Sequence, residues 1–199
     1  MSQRGRPGYD RETVLRRAID LFNTRGYDAT SVGDLAQALG VSKSAVYHHF
    51  PSKEAILAAA LDEALDGLNQ AVRDASEAAH GAPAQERLRA TIETSVRILL
   101  AHLPAVTLLL RVRGNSDIER LALERRRGID ARLGSLVAAA VAEGSVRDDL
   151  PTDVVTRLAF GMVNSLTEWN RPGRATDPDV LAAAVTAVLF EGLSPRSAS

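Results

Sequence analysis

Ser42-Lys43-Ser44-Ala45 is a run of side chains able to meet the edges of base pairs. A lysine ammonium can donate to O6 and N7 of guanine, an alanine methyl can touch the methyl of thymine, and a serine hydroxyl can donate or accept. These groups reach bases only from the first turn of a helix that fits the major groove. The flanking sequence predicts such a helix. Ser31 and Ser42 are both good N-cap residues, because a hydroxyl accepts from the free N–H groups of a first turn. Leu39-Gly40-Val41 lies between them, and glycine is the usual residue just past a helix end. Asp34, three residues after Ser31, adds a first-turn carboxylate that the helix dipole favours. Two caps around a glycine turn have the spacing of a helix-turn-helix over residues 31–50. Thr30, where the first of these helices begins, offers a hydroxyl and nearby N–H groups to a phosphate.

The elements that position this motif are expected to be helical throughout. The chain has 199 residues, 45% of them hydrophobic but only 4% aromatic, so its core is mostly Leu, Ala and Val. With 25% charged residues, that mixture favours an all-α fold. There is no cysteine, hence no disulfide, thiol nucleophile or Cys-ligated metal. No apolar run approaches the ~20 residues that span a bilayer, and no secretion signal is evident. The expected location is the cytoplasm, with no membrane partner. The net charge of −1 conceals a gradient: residues 1–53 carry eight Lys/Arg against five Asp/Glu, and residues 54–199 carry sixteen against twenty. Attraction to phosphate is local, so the positive end can serve DNA despite the acidic remainder.

Apolar periodicity predicts about nine helices. The first runs from near Asp10 to Gly26 with Val14, Leu15, Ala18, Leu21 and Phe22 inward. Val32, Leu35, Ala36, Leu39, Val41, Ala45, Val46 and Phe50 are expected to close a small core with it. A long fourth helix opens at Pro51-Ser52, and Gly81-Ala82-Pro83 breaks the chain after it. Further helices are expected over about 84–102, 104–114, 117–142, 152–170 and 177–192.

Gly26-Tyr27, Thr30-Ser31-Val32, Leu35-Ala36, Leu39-Gly40-Val41-Ser42, Val46-Tyr47-His48-His49-Phe50 and Lys53-Glu54 together resemble the TetR family of bacterial transcriptional regulators. The resemblance covers roughly residues 10–65; the remainder is similar in helix count and layout only. It implies a DNA-binding domain over 8–68, a ligand-binding and dimerisation domain over 69–193, a flexible arm at 1–7 and a disordered tail at 194–199. It also implies a homodimer whose recognition helices enter successive major grooves of a palindromic double-stranded operator, and a small-molecule effector that alters their separation. Tyr47 and His48 match positions that contact phosphate or the groove wall, and Lys53 matches a phosphate contact. Arg4-Gly5-Arg6-Pro7 resembles the core of an AT-hook. Arg4 and Arg6 either enter a narrow A·T minor groove, grip phosphates without sequence preference, or solubilise the arm.

Polar residues within otherwise apolar stripes are candidates for contact with the effector: Thr94, His102, Asn164, Thr167 and Glu168. If buried they need partners, either internal ones or a ligand. Phe160, Met162 and Trp169 offer apolar walls. Glu143–Asp149, Gly161–Asn164 and Glu168–Gly173 look like a branch of the family with acyl-coenzyme A effectors. For such a ligand Arg111, Arg113, Arg125, Arg126, Arg127, Arg147, Arg171 and Arg174 are the candidate cations for phosphate; a different hydrophobic ligand is the other reading. Val155, Leu158 and Ala159, with Leu181, Ala184, Val185 and Val188, form stripes suited to a dimer face, unless one stripe is spent on the subunit's own core. His48-His49 has no third ligand nearby, so no metal or cofactor is expected. No H-E-x-x-H, Gly-rich phosphate loop or nucleophile–base pair is found, so an enzyme is disfavoured. A DNA-binding protein that senses nothing is the remaining alternative.

Overall fold

The computed structural model describes residues 10–77, 81–170 and 177–192. Among them are nine helices and no strand: α1 (Arg11–Arg25), α2 (Val32–Leu39), α3 (Lys43–His49), α4 (Lys53–Glu77), α5 (Ala84–Ala101), α6 (Leu103–Arg111), α7 (Asp117–Ala142), α8 (Thr152–Trp169) and α9 (Pro178–Glu191). The all-α expectation is met. The N-terminal arm with Arg4 and Arg6, the C-terminal tail, Arg171 and Arg174 lie outside the described residues.

Local hydrogen bonds set the helix ends of the N-terminal motif. Asp10 Oδ1 accepts from Thr13 N at 2.7 Å and starts α1. Ser31 and Asp34 form a full capping box: Asp34 N donates to Ser31 Oγ at 3.1 Å, and Ser31 N donates back to Asp34 Oδ2 at 2.8 Å. The Ser31 hydroxyl, which donates to Asp34 Oδ2 at 2.5 Å, and after it the Ser31 N–H hold the Asp34 carboxyl below its ordinary range. Gly40 ends α2 at φ 68°, the left-handed conformation in which a Cβ is costly, and its N–H closes on Ala36 and Gln37 carbonyls. Ser42 then caps α3 by accepting from Ala45 N at 3.3 Å.

The chain divides into two compact units. The first comprises 1–64 and 104–123. Its core contains Val14, Leu15, Ala18, Phe22, Leu35, Ala36, Leu39, Val46, Phe50, Ile56 and Leu57, all buried. Fully burying one of the larger of these, a valine, leucine, isoleucine or phenylalanine, contributes ~1.5–3 kcal/mol. Ala45, expected among these core residues, is exposed instead, because the face of α3 that packs is set by Val46 and Phe50. The first unit also includes α6 and the start of α7, which a boundary at 68 would exclude. Asn23 Nδ2 donates to Pro104 O, and Arg111 donates to Asn23 O, each at 2.8 Å. At the corner after α6, the buried Glu119 carboxylate accepts the N–H groups of Arg113, Gly114 and Asn115 at 2.9, 2.8 and 3.1 Å.

The second unit comprises 65–103 and 124–199. Leu88, Ile92, Val96 and Leu99 of α5, Ile129, Leu133 and Val137 of α7, and Phe160, Val163 and Leu166 of α8 are buried in it. α9 lies along α5, with Leu181, Ala182, Val185 and Thr186 buried. Thr91, Ser95 and Thr186 are buried polar residues whose hydroxyls donate to carbonyls of their own helices, which removes the desolvation penalty.

Candidate functional site

The outer surface of α3 carries the first candidate site. Val46, fully buried, anchors the helix, and Ser42, Lys43, Ser44, Ala45, Tyr47 and His48 are left exposed around it. Ser42 Oγ and Ser44 Oγ lie 2.8 Å apart in a hydrogen bond, so the capping hydroxyl is oriented by its neighbour. The phenol of Tyr47 stands well out, the residue being 48% exposed. Ser42 to Ala45 were expected here from the cap spacing, and Tyr47 and His48 from the family resemblance.

Two other residues expected at phosphate are engaged elsewhere. Thr30 is only 2% exposed, and its hydroxyl donates to Gly26 O at 2.8 Å. It closes the α1–α2 turn, so its hydroxyl is not presented at the surface. Lys53 Nζ donates to Tyr27 O at 3.0 Å and stands 4.1 Å from the centre of the Tyr27 ring. That bond and the cation–π contact tie the head of α4 to the α1–α2 turn. Burial pushes the Tyr27 phenol up to about 12, so it stays neutral beside the ammonium at any physiological pH. The rings of His48 and His49 meet edge to face at 5.3 Å. No metal-binding group of His, Cys, Asp and Glu occurs among the described residues.

In the second unit, an open groove of about 660 Å³ runs between α7 and α8. Ala131, Gly134, Ser135 and Ala138 line it from α7, and Thr156, Phe160, Gly161 and Asn164 from α8. Its charged lining comprises Arg126, Arg127, Asp130, Asp153 and Arg157. Burial raises the Asp130 carboxyl, against the opposing pull of Arg126. The groove therefore combines apolar walls with three guanidinium groups. Of the residues expected to meet an effector, Phe160, Asn164, Arg126 and Arg127 line it. Thr94, Met162 and Thr167 are half-buried away from it, and Thr167 Oγ1 donates to Asn164 O at 2.8 Å. His102 caps the end of α5, and Glu168 and Trp169 are exposed. Arg111 belongs to the first unit, beside a smaller cavity of about 210 Å³. The small groove residues of α7, Ala131, Gly134, Ser135 and Ala138, were not among the expected ones, although they repeat at helical spacing.

The stripes expected to form a dimer face are divided between inside and outside. Ala159, Leu181 and Val185 are buried in the protomer, so they are not available to a second copy. The physical reason is that α8 and α9 are apolar on two faces, and each spends one on its own core. What remains exposed is Val154, Leu158 and Trp169 on α8, and Val180, Ala184 and Val188 on α9. Val155 is half-buried.

A short, capped second helix with free polar side chains, carried on an all-helical chain, defines a helix-turn-helix transcriptional regulator. Residues 14–60 match the bacterial regulatory proteins of the tetR family, and residues 81–193 match the tetracyclin repressor-like C-terminal domain. The chain belongs to the TetR family. It is 28% identical over 192 residues to the HTH-type transcriptional repressor KstR2 of Rhodococcus jostii (strain RHA1), covering 92% of this chain and 91% of that one. Among solved structures, a member of the TetR transcriptional regulator family from Streptomyces coelicolor A3 is similar at TM-score 0.85 and 43% identity, over 98% of this chain and 96% of the other. The ketosteroid transcriptional regulator KstR2 of Mycobacterium tuberculosis is similar at TM-score 0.82 and 25% identity, over 96% and 98%. The family and these relatives are transcriptional regulators, not enzymes. Among the described residues, no single helix is long and apolar enough to cross a membrane.

Proposed function

We propose that the chain is a homodimeric repressor that holds a palindromic operator and is released from it by a small hydrophobic effector. The observation that carries this reading is the exposed face of α3, where Ser44, Ala45, Tyr47 and His48 surround a helix pinned from behind by Val46. Repression is what the name of the Rhodococcus relative states of that protein. Dimerisation is supported by the apolar surface on α8 and α9: Leu158 is 63% exposed, Val180 57% and Trp169 55%. A second copy offering the same face would cover it by two-fold symmetry. Such a protein would act in the cytoplasm, where the operator is.

The effector reading is narrower. The α7–α8 groove, with Phe160 and a floor of small residues beside Arg126, Arg127 and Arg157, suits an elongated molecule with an apolar body and an anionic group. An acyl-coenzyme A thioester has that chemistry, and the ketosteroid in the name of the Mycobacterium regulator suggests a steroid as the apolar body. The test is a gel shift with the duplex upstream of the chain's own gene, alone and with acyl-coenzyme A thioesters or free steroids. The expected result is a specific shift abolished by one ligand class. Absence of a specific shift at any promoter tested removes the DNA reading. A shift that no ligand alters removes the effector reading and leaves a constitutive binder.

A further inference from the structure

Lys43 does not project from α3 as its neighbours do. A Cβ placed on Gly33 would lie 2.9 Å from Lys43 Cε, 3.3 Å from Lys43 Nζ and 3.3 Å from Ser31 Oγ. The lysine stem thus fills the space a side chain at residue 33 would take, and its ammonium rests against the first turn of α2. No hydrogen bond or ion pair engages that ammonium among the described residues. In a helix-turn-helix the first helix of the pair crosses the sugar-phosphate backbone, and only the second lies in the groove. A charge held against α2 is therefore placed for the backbone. Lysine suits that position, being a compact point charge without the planar fork of arginine.

We infer that Lys43 grips a backbone phosphate instead of reading a guanine, and that Gly33 is the positioning residue whose missing side chain seats it. The inference rests on the DNA-binding reading above and sharpens it. Base discrimination then falls to Ser44, Ala45, Tyr47 and His48, while Lys43 contributes affinity that any sequence can use.

The experiment measures fluorescence anisotropy of the full chain on two duplexes across a salt series. One duplex is selected from a random pool by the wild-type protein; the other is scrambled to the same length and composition. Lys43→Ala should weaken both by the same factor, roughly tenfold per subunit at 0.1 M salt, and lower the slope of log K against log salt by ~0.9 per subunit. Gly33→Ala, whose methyl displaces the far end of the stem, should weaken both duplexes likewise while the melting temperature stays close to wild type, since the helix propensity gained by alanine offsets the pressure on the capping Ser31 hydroxyl. A purely structural role for Gly33 would move stability and affinity together. On the Lys43→Ala background, Gly33→Ala should add no further loss. The inference is overturned if Lys43→Ala leaves both affinities unchanged, or if it changes the selected-to-scrambled ratio tenfold with the slope intact. A wild-type protein that enriches no duplex overturns the DNA-binding reading as well, an outcome separable from either of those.

Discussion

In the helix-turn-helix, every turn is decided within a few residues: Ser31 and Asp34 cap each other, Gly40 takes φ 68°, and Ser42 holds the N–H of Ala45. On α8 and α9, by contrast, nothing local decides which side faces in. α9 buries Leu181, Ala182 and Val185 and exposes Val180, Ala183, Ala184 and Val188, and the two sets are equally apolar. The surface proposed for DNA can thus be built from caps and turns, whereas the surface proposed for a second subunit is whatever the core leaves over. One is coded locally and the other by packing, so they should fail independently.

The largest effect should come from the leftover face. Leu158→Glu places a charge on the most exposed apolar side chain of α8. It should yield monomers in sedimentation and weaken operator binding by ~10²–10⁴-fold through loss of avidity, with the helix-turn-helix head, the core of the first unit, still folded. A Leu158→Glu protein that stays dimeric would show that this face is not where two copies meet. Next in size, Leu35→Ala empties a 2%-exposed site in the head. A cost of ~2–5 kcal/mol is expected in urea melts, with dimerisation intact where the head unfolds first. A single joint transition of head and dimer would show that the two regions are not independent.

A third test probes the groove. If an acyl-coenzyme A thioester stabilises the wild-type chain by ~2.7 kcal/mol at a hundred times its Kd, then Arg126→Ala/Arg127→Ala should remove most of that gain. The variant should keep its melting temperature without ligand. An unchanged ligand effect would move the effector elsewhere. The smallest effect is a pH dependence. Hydrogen bonds from Ser31 hold the Asp34 carboxyl below the ordinary 3.8, so the folded pKa is lower than the unfolded one. Its contribution is present above 3.8 and is lost as the pH falls through the folded value. The stability gap between wild type and Asp34→Asn should therefore be constant from neutrality to about pH 5 and close only in stronger acid. A gap that closes near pH 6 would place the pH dependence elsewhere.

The helix-turn-helix was legible because its signals are short-range. Ser31, Gly40 and Ser42 announce their roles by residue type, and the S-x-x-D spacing that promised a partial box forms a complete one. What was illegible depended on which partner each side chain takes in the fold, near or far in sequence. Thr30 looks like a phosphate ligand until the carbonyl of Gly26 is seen to take its hydroxyl. Lys53 looks free until Tyr27 claims it. The packing of α6 in the first unit brings Asn23 to Pro104, 81 residues away, which periodicity does not encode. The small residues on the α7 side of the groove were silent for another reason: alanine, glycine and serine fit a helix surface, a core or a cleft equally well.

The corner after α6 also bears on how the chain resists digestion. Arg111 and Arg113 flank a single valine, a sequence trypsin would ordinarily cut. A protease must draw several residues into an extended strand, and here that means stripping three N–H groups from the one carboxylate of Glu119 together. Limited proteolysis of the native protein should pass over this corner, and Glu119→Ala should turn it into an early cleavage point.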